Sequence, residues 1–182
     1  MDKQALVKDI RDKRFQLTVM DRLPWDKVIH DRVMDYVSPY SKIAIYAAMN
    51  GEVDTYGIME TLFWDESKII CAPKVIPGKG MVFYRIRSFK DLKEGHFGVL
   101  EPIGNEEIIP DLSITPLSAY NKLGYRIGYG KGYYDRYFAQ HNCMRIGIAY
   151  SFQYLDIDFQ DEFDIPCNMI ITEKEIIYET SI

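Results

Sequence analysis

"LGYRIGYGKGYYDRYF", residues 123–138, sets glycines at 128, 130 and 132 between an apolar lead-in and a run of tyrosines and charged residues. Glycine weakens any regular element it occupies, so three at alternate positions need a reason. A ligand that lies against bare backbone would supply one. The stretch reads as a turn feeding a helix over 131–141, and the segments around it alternate in the same way.

Upstream, residues 2–20 read as a cationic helix with Leu6, Ile10 and Leu17 as a partial apolar stripe. Lys3, Val7, Ile10 and Arg14 lie along one side of it, so some cations are expected to point inward. A second helix is expected over 25–37, ended by Ser38-Pro39, and a third over 54–65. "KIAIYAAM" (42–49), "KIICAPKV" (68–75), "MVFYRI" (81–86), "DLSITPL" (111–117) and "MRIGIAY" (144–150) read as strands, "GVLEP" (98–102) as a short extended piece, and "MIITEKEIIYE" (169–179) as a terminal hairpin or strand pair. This alternation predicts an α/β fold: a single-domain, three-layer open sheet over 1–182, mostly parallel with mixed edge strands, and helices on both faces. The strand order is not readable.

A chain of 182 residues can bury a substantial core in one domain. Its net charge of −5 argues against a general nucleic-acid binder, which needs a basic face. No apolar run is long enough to span a bilayer, and the charged N-terminus lacks the apolar core of a secretion signal. Three cysteines without C-x-x-C spacing suggest neither a disulfide framework nor a zinc site. A cytoplasmic location is expected.

The glycine spacing G-x-G-x-G departs from the dinucleotide fingerprint and from the P-loop, yet the physics can be shared. Unhindered N–H groups at a helix start form an anion-binding concavity. Arg126, Lys131 and Arg136 add positive charge, and Asp135 stands where it can hold Mg²⁺ against phosphates. On these residues alone, a structural glycine turn over packed tyrosines remains an alternative.

"GYRIGYGKGYYDRYF" resembles the signature of the 5-formyltetrahydrofolate cyclo-ligase family. "AAMNGEVDT", "ICAPKV", "GVLEP", "IAYSFQ" and "DIPCNMIITEKEII" extend the likeness over most of the chain in the same order. The resemblance implies an enzyme using ATP and Mg²⁺ to convert 5-formyltetrahydrofolate, with or without a polyglutamate tail, into 5,10-methenyltetrahydrofolate, releasing ADP and phosphate. The γ-phosphoryl group would activate the formyl oxygen and N10 would attack. That suits a chain with no convincing nucleophile–base arrangement. No nucleic-acid or membrane partner is implied, and a monomer is expected.

Carried over position by position, the resemblance assigns ATP contacts to Lys3 and to the run Arg126, Ile127, Gly128, Tyr129, Gly130, Lys131, Gly132, Tyr133, Tyr134 and Asp135. Arg126, Lys131 and Tyr134 are the expected catalytic residues. Met49 and Asp54 match folate-lining positions, with Glu52 in reserve and Tyr133 and Tyr134 as flanking rings. A carboxylate there would pair with the pterin's N–H donors. Asp54 can equally be a helix cap. Asp135 and Asn168 match metal positions, although family members often carry a carboxylate where Asn168 stands and Arg where Val7 stands. One phosphate or substrate contact is then either missing or supplied by Lys8, Arg11 or Arg14.

Phe83, Tyr84 and Tyr154 are further aromatic candidates, for which core packing is the stronger reading. His30, His96 and His141 lack ligand spacing, and Cys71 and Cys143 look like buried small hydrophobes. Two other readings stay open. A nucleotide-dependent transferase or oxidoreductase would need a ribose-binding acid, for which Asp156 and Asp158 have the distance. A folate-binding regulator without turnover is favoured only by Val7 and Asn168.

Overall fold

A computed structural model of the chain describes residues 2–49, 51–95 and 98–179, so His96 lies outside the described residues. In chain order the elements are α1 (Lys3–Leu6), α2 (Lys8–Gln16), α3 (Val19–Val37), β1 (Lys42–Ile45), α4 (Tyr56–Phe63), β2 (Ile69–Ile76), β3 (Gly80–Ile86), β4 (Leu92–Glu94) and β5 (Leu100–Pro102). There follow β6 (Leu112–Thr115), β7 (Ala119–Tyr120), β8 (Arg126–Ile127), α5 (Tyr133–Phe138), β9 (Met144–Ile148), β10 (Met169–Ile171) and β11 (Ile176–Tyr178). Seven strands form one sheet in the order β11-β10-β9-β6-β1-β2-β3. β10, β9, β6, β1 and β2 are parallel, while the hairpin partners β3 and β11 make antiparallel edges. β4–β5 and β7–β8 are separate two-stranded ribbons.

Side-chain alternation divides the sheet into two unlike faces. Ile43, Ile45, Ile70, Ile114, Ile146 and Ile148 pack with Ile29, Val33 and Val37 of α3 and Ile58, Met59 and Leu62 of α4. Each such side chain contributes about 1.5–3 kcal/mol of burial. The other face carries small residues, Ala44, Cys71, Ser113 and Thr115, all buried. Tyr137 and Phe138 of α5 cover part of it, over Cys71, Met81 and Phe83. The mostly parallel, three-layer sheet matches the sequence reading.

The N-terminal helix does not. It breaks at Val7, which is buried against Ala119, Ile127 and Phe159, and again at Leu17, whose backbone is extended. Thr18 then starts α3 with a reciprocal capping box: its side chain accepts from Asp21 N while Asp21 accepts from Thr18 N. α3 therefore begins at Val19 rather than 25 and runs through Pro24. α5 is also shorter than the expected 131–141, because Gly132 is a left-handed N-cap and the helical run stops at Phe138. The inward-pointing cation is borne out: Arg14 is 2% exposed.

Candidate functional site

The loops leaving the C-terminal ends of β1 and β6 part from each other and leave a crevice, the usual ligand position in a parallel sheet. Here it is a cleft of about 590 Å³. Tyr46, Ala47, Met49 and Glu52 line it after β1, Pro116 after β6, and Arg126 through Asp135 from the glycine segment. Lys3 and Gln4 of α1, Glu101 of β5 and Asp164 complete much of the lining.

The three glycines differ locally. Gly130 and Gly132 have φ of 79° and 63°, the left-handed region that favours glycine. Gly128 has no such φ, and a Cβ there would meet no atom within 4 Å. Its bare side is open space. Gln4 Nε2 donates to Gly128 O at 3.3 Å, and Arg11 donates to Gln4 Oε1 at 2.5 Å, seating α1 on the loop. Because α5 has only six residues, its dipole adds little. The cations that line the cleft are Lys3, Arg126 and Lys131.

Internal carboxylates hold two of these cations. Lys3 Nζ is paired with Asp161 at 2.9 Å and with Asp164. Burial pulls the Lys3 ammonium down, but the bonds to Asp164 and Asp161 outweigh it and raise it on balance. Arg126 is paired with Asp135 Oδ1 at 3.0 Å, and that oxygen also accepts from Ile165 N at 3.1 Å. Arg126 Nη2 is buried without a hydrogen-bond partner among the described residues, and the guanidinium lies over the rings of Tyr134 and Phe138. Lys131 is exposed and makes no ion pair among the described residues.

Glu52 is the buried acid of the cleft, 5% exposed. Its Oε1 accepts from the Tyr129 hydroxyl at 2.7 Å and its Oε2 from Met49 N at 2.8 Å. Burial raises Glu52 above the usual carboxylate range, against those hydrogen bonds and the nearby Arg14. Burial and then Glu52 push the Tyr129 hydroxyl up to about 12. Arg14 donates to the Tyr129 oxygen at 3.4 Å and to Leu117 O at 3.3 Å. Behind this loop, Arg22 donates to Glu52 O at 2.9 Å, and Tyr150 donates to Asp26 at 2.7 Å. The Tyr134 hydroxyl is buried without a partner among the described residues, and burial raises it well above the ordinary tyrosine value.

Two expected residues are not brought to the cleft. Asp54 turns away and caps α4, accepting from Tyr56 N at 3.0 Å and Gly57 N at 3.3 Å, whereas Glu52 lines the cleft. Asn168 stands at the start of β10, at the far end of the parallel strands. Its Oδ1 accepts from Arg145 N at 2.9 Å and its Nδ2 donates to Glu179 at 2.9 Å. Asp164 lines the cleft with Asp135, and its neighbour Ile165 donates to Asp135. No spacing in the sequence signals it, because the 156–166 loop meets α1 only in the fold. Asp156 accepts from Tyr154 and does not line the cleft.

Phe83, Tyr84 and Tyr154 pack away from the cleft, Phe83 against Tyr137 at 4.8 Å and Tyr154 against Tyr120 at 5.7 Å. Both Tyr133 and Tyr134 line it. The three cysteines are buried, and burial pushes the Cys143 thiol up to about 11. His141 stacks on Tyr137, and His30 bonds Thr61.

Residues 1–173 match the model of the 5-formyltetrahydrofolate cyclo-ligase family. A 5-formyltetrahydrofolate cyclo-ligase of Mycoplasma pneumoniae is 32% identical over 96% of this chain and 100% of its own length. One from Haemophilus influenzae is 26% identical over 90% of this chain and 94% of its own. The solved structure of the 5,10-methenyltetrahydrofolate synthetase of Aquifex aeolicus superposes with a TM-score of 0.85 at 31% identity, covering 98% of this chain and 93% of that one. With the family match spanning nearly the whole chain, this protein belongs to the 5-formyltetrahydrofolate cyclo-ligase family of enzymes.

Proposed function

We propose that the chain closes the methenyl bridge of a reduced folate, converting 5-formyltetrahydrofolate to 5,10-methenyltetrahydrofolate while ATP becomes ADP and phosphate. The observation that supports this most is one cleft holding the Gly128–Gly132 backbone and three cations together with Met49 and the buried acid Glu52. ATP supplies the phosphoryl group that activates the formyl oxygen; N10 of the folate then attacks the formyl carbon and loses its proton, and the oxygen departs as phosphate.

The chain's part is binding, orientation and charge stabilisation. Lys3 and Arg126 exchange Asp161, Asp164 and Asp135 for phosphate oxygens, and Lys131 adds a third cation. Ile127 through Tyr133 carry the phosphate-facing backbone. The Tyr134 hydroxyl, without a partner among the described residues, offers a hydrogen bond to the reacting oxygen. Met49 and Glu52 hold the folate. The released Asp135 and Asp164 would hold Mg²⁺, whose preferred ligand set is one or two carboxylates with phosphate oxygens and water. Among the described residues no three metal-ligating side chains form a cluster, so phosphate and water must supply the remaining ligands.

The test is stoichiometry. Purified protein with ATP, Mg²⁺ and 5-formyltetrahydrofolate should release one phosphate per methenyl group formed, and none when the folate is omitted. Phosphate release indifferent to the folate would overturn the reading.

A further inference from the structure

One end of the cleft is apolar: Pro73 and Val75 of β2, Met81 of β3, and Val99. A carboxylate stands among them. Glu101 of β5 lines the cleft and is 8% exposed. Among the described residues no hydrogen bond or ion pair engages its side chain, although a buried carboxylate is costly unless something compensates it. Glu52 differs, since each of its oxygens already accepts one internal hydrogen bond.

The fold also makes room for Glu101. Gly95 closes the β4–β5 hairpin by donating to Val99 O at 2.8 Å. Its φ is not in the left-handed region, so the backbone there does not require glycine. Space does: a Cβ at Gly95 would fall 2.2 Å from Glu101 Oε2 and 2.5 Å from its Cδ. The carboxylate therefore lies across the glycine, at the apolar end of the cleft.

A ligand that fits this end has a flat apolar body and N–H donors that a carboxylate can accept. An anionic tail does not fit, because Glu101 repels it. We propose that Glu101 is a second substrate-binding carboxylate, which accepts N–H hydrogen bonds from the ring system of the reduced folate while the anionic tail leaves the cleft away from it. This rests on the folate reading above.

The test measures 5-formyltetrahydrofolate binding by titration calorimetry and, separately, KM for the folate and for ATP. Wild type is measured first: if it binds no folate, the proposed function itself fails, independently of Glu101. If it binds, Glu101→Gln, which keeps the volume and one acceptor, should weaken folate binding about tenfold or more while KM for ATP stays within about twofold. Gly95→Ala keeps the carboxylate and pushes it aside, so it should weaken folate binding in the same direction, and it remains informative if Glu101→Gln fails to fold. Folded variants that bind the folate as wild type does would overturn the inference, as would equal losses for folate and ATP.

Discussion

Gly130 and Gly132 sit at left-handed φ, which a side chain enters at a cost of about 1–2 kcal/mol, whereas Gly128 has open space where a Cβ would go. The three look alike in the sequence and should separate on substitution. Gly130→Ala should lower stability by about that amount in denaturant titrations. Gly128→Ala should leave the unfolding midpoint nearly unchanged and raise KM for ATP, since the added methyl fills the side on which a phosphate would approach. If Gly128→Ala instead destabilised the fold without touching ATP, the loop would be a structural turn. Glu52 makes a second prediction at this scale. Its carboxyl is raised in the fold, so the folded state binds the proton better than the unfolded chain does. The stability that this contributes is fully present below the unfolded value of 4.5 and is lost as pH rises through the raised folded value. Glu52→Gln cannot titrate, so its melting midpoint should gain on wild type between about pH 4 and pH 7. A gap that moves the other way contradicts the assignment of burial as the dominant cause.

Among the elements, the N-terminal region shows what a stripe of apolar residues hides. Leu6, Ile10 and Leu17 suggest one helix, yet Val7 is drawn into a cluster with Ala119, Ile127 and Phe159, and the turn at Leu17 is fixed by Thr18 and Asp21. The Thr18-x-x-Asp21 spacing was a readable start signal that the helical stripe obscured. Thr18→Ala should cost about 1 kcal/mol in urea unfolding. A change near zero would mean that α3 is held by its packing against the sheet alone. Around buried Val7, Arg11 and Arg14 both reach Tyr129, one over its ring at 5.6 Å and the other to its hydroxyl, while Lys8 stays exposed. The glycine segment was legible because three alternate glycines at a helix start run against local preference, and two of them, Gly130 and Gly132, do adopt the left-handed backbone that asks for glycine. Glu101 carried a weaker signal of the same kind, an acid inside the short apolar strand "VLEP".

For the molecule as a whole, the α/β class and nearly every strand of the main sheet followed from short apolar runs between helical segments. The sheet order did not, because buried strands with similar apolar patterns give no indication of their neighbours. The small ribbons β4–β5 and β7–β8 were missed in part, being too short for a period to register. The site was legible where it is continuous in the chain and illegible where distant loops meet, as Asp164 meets Lys3. Asp54 and Asn168 matched by position but are engaged elsewhere, Asp54 by the backbone N–H groups of Tyr56 and Gly57 and Asn168 across the sheet by Arg145 N and the Glu179 carboxylate. What joins these parts is the claim that the cleft cations release their internal carboxylates to phosphate and thereby free Asp135 for metal. The most direct measurement is the absorbance band of methenyltetrahydrofolate on mixing protein with 5-formyltetrahydrofolate, ATP and Mg²⁺, with ATP or metal omitted in turn and Asp135→Ala in parallel. The account predicts a band that requires both ATP and metal and collapses in the variant. Folded protein that binds ATP and yields no band would contradict it.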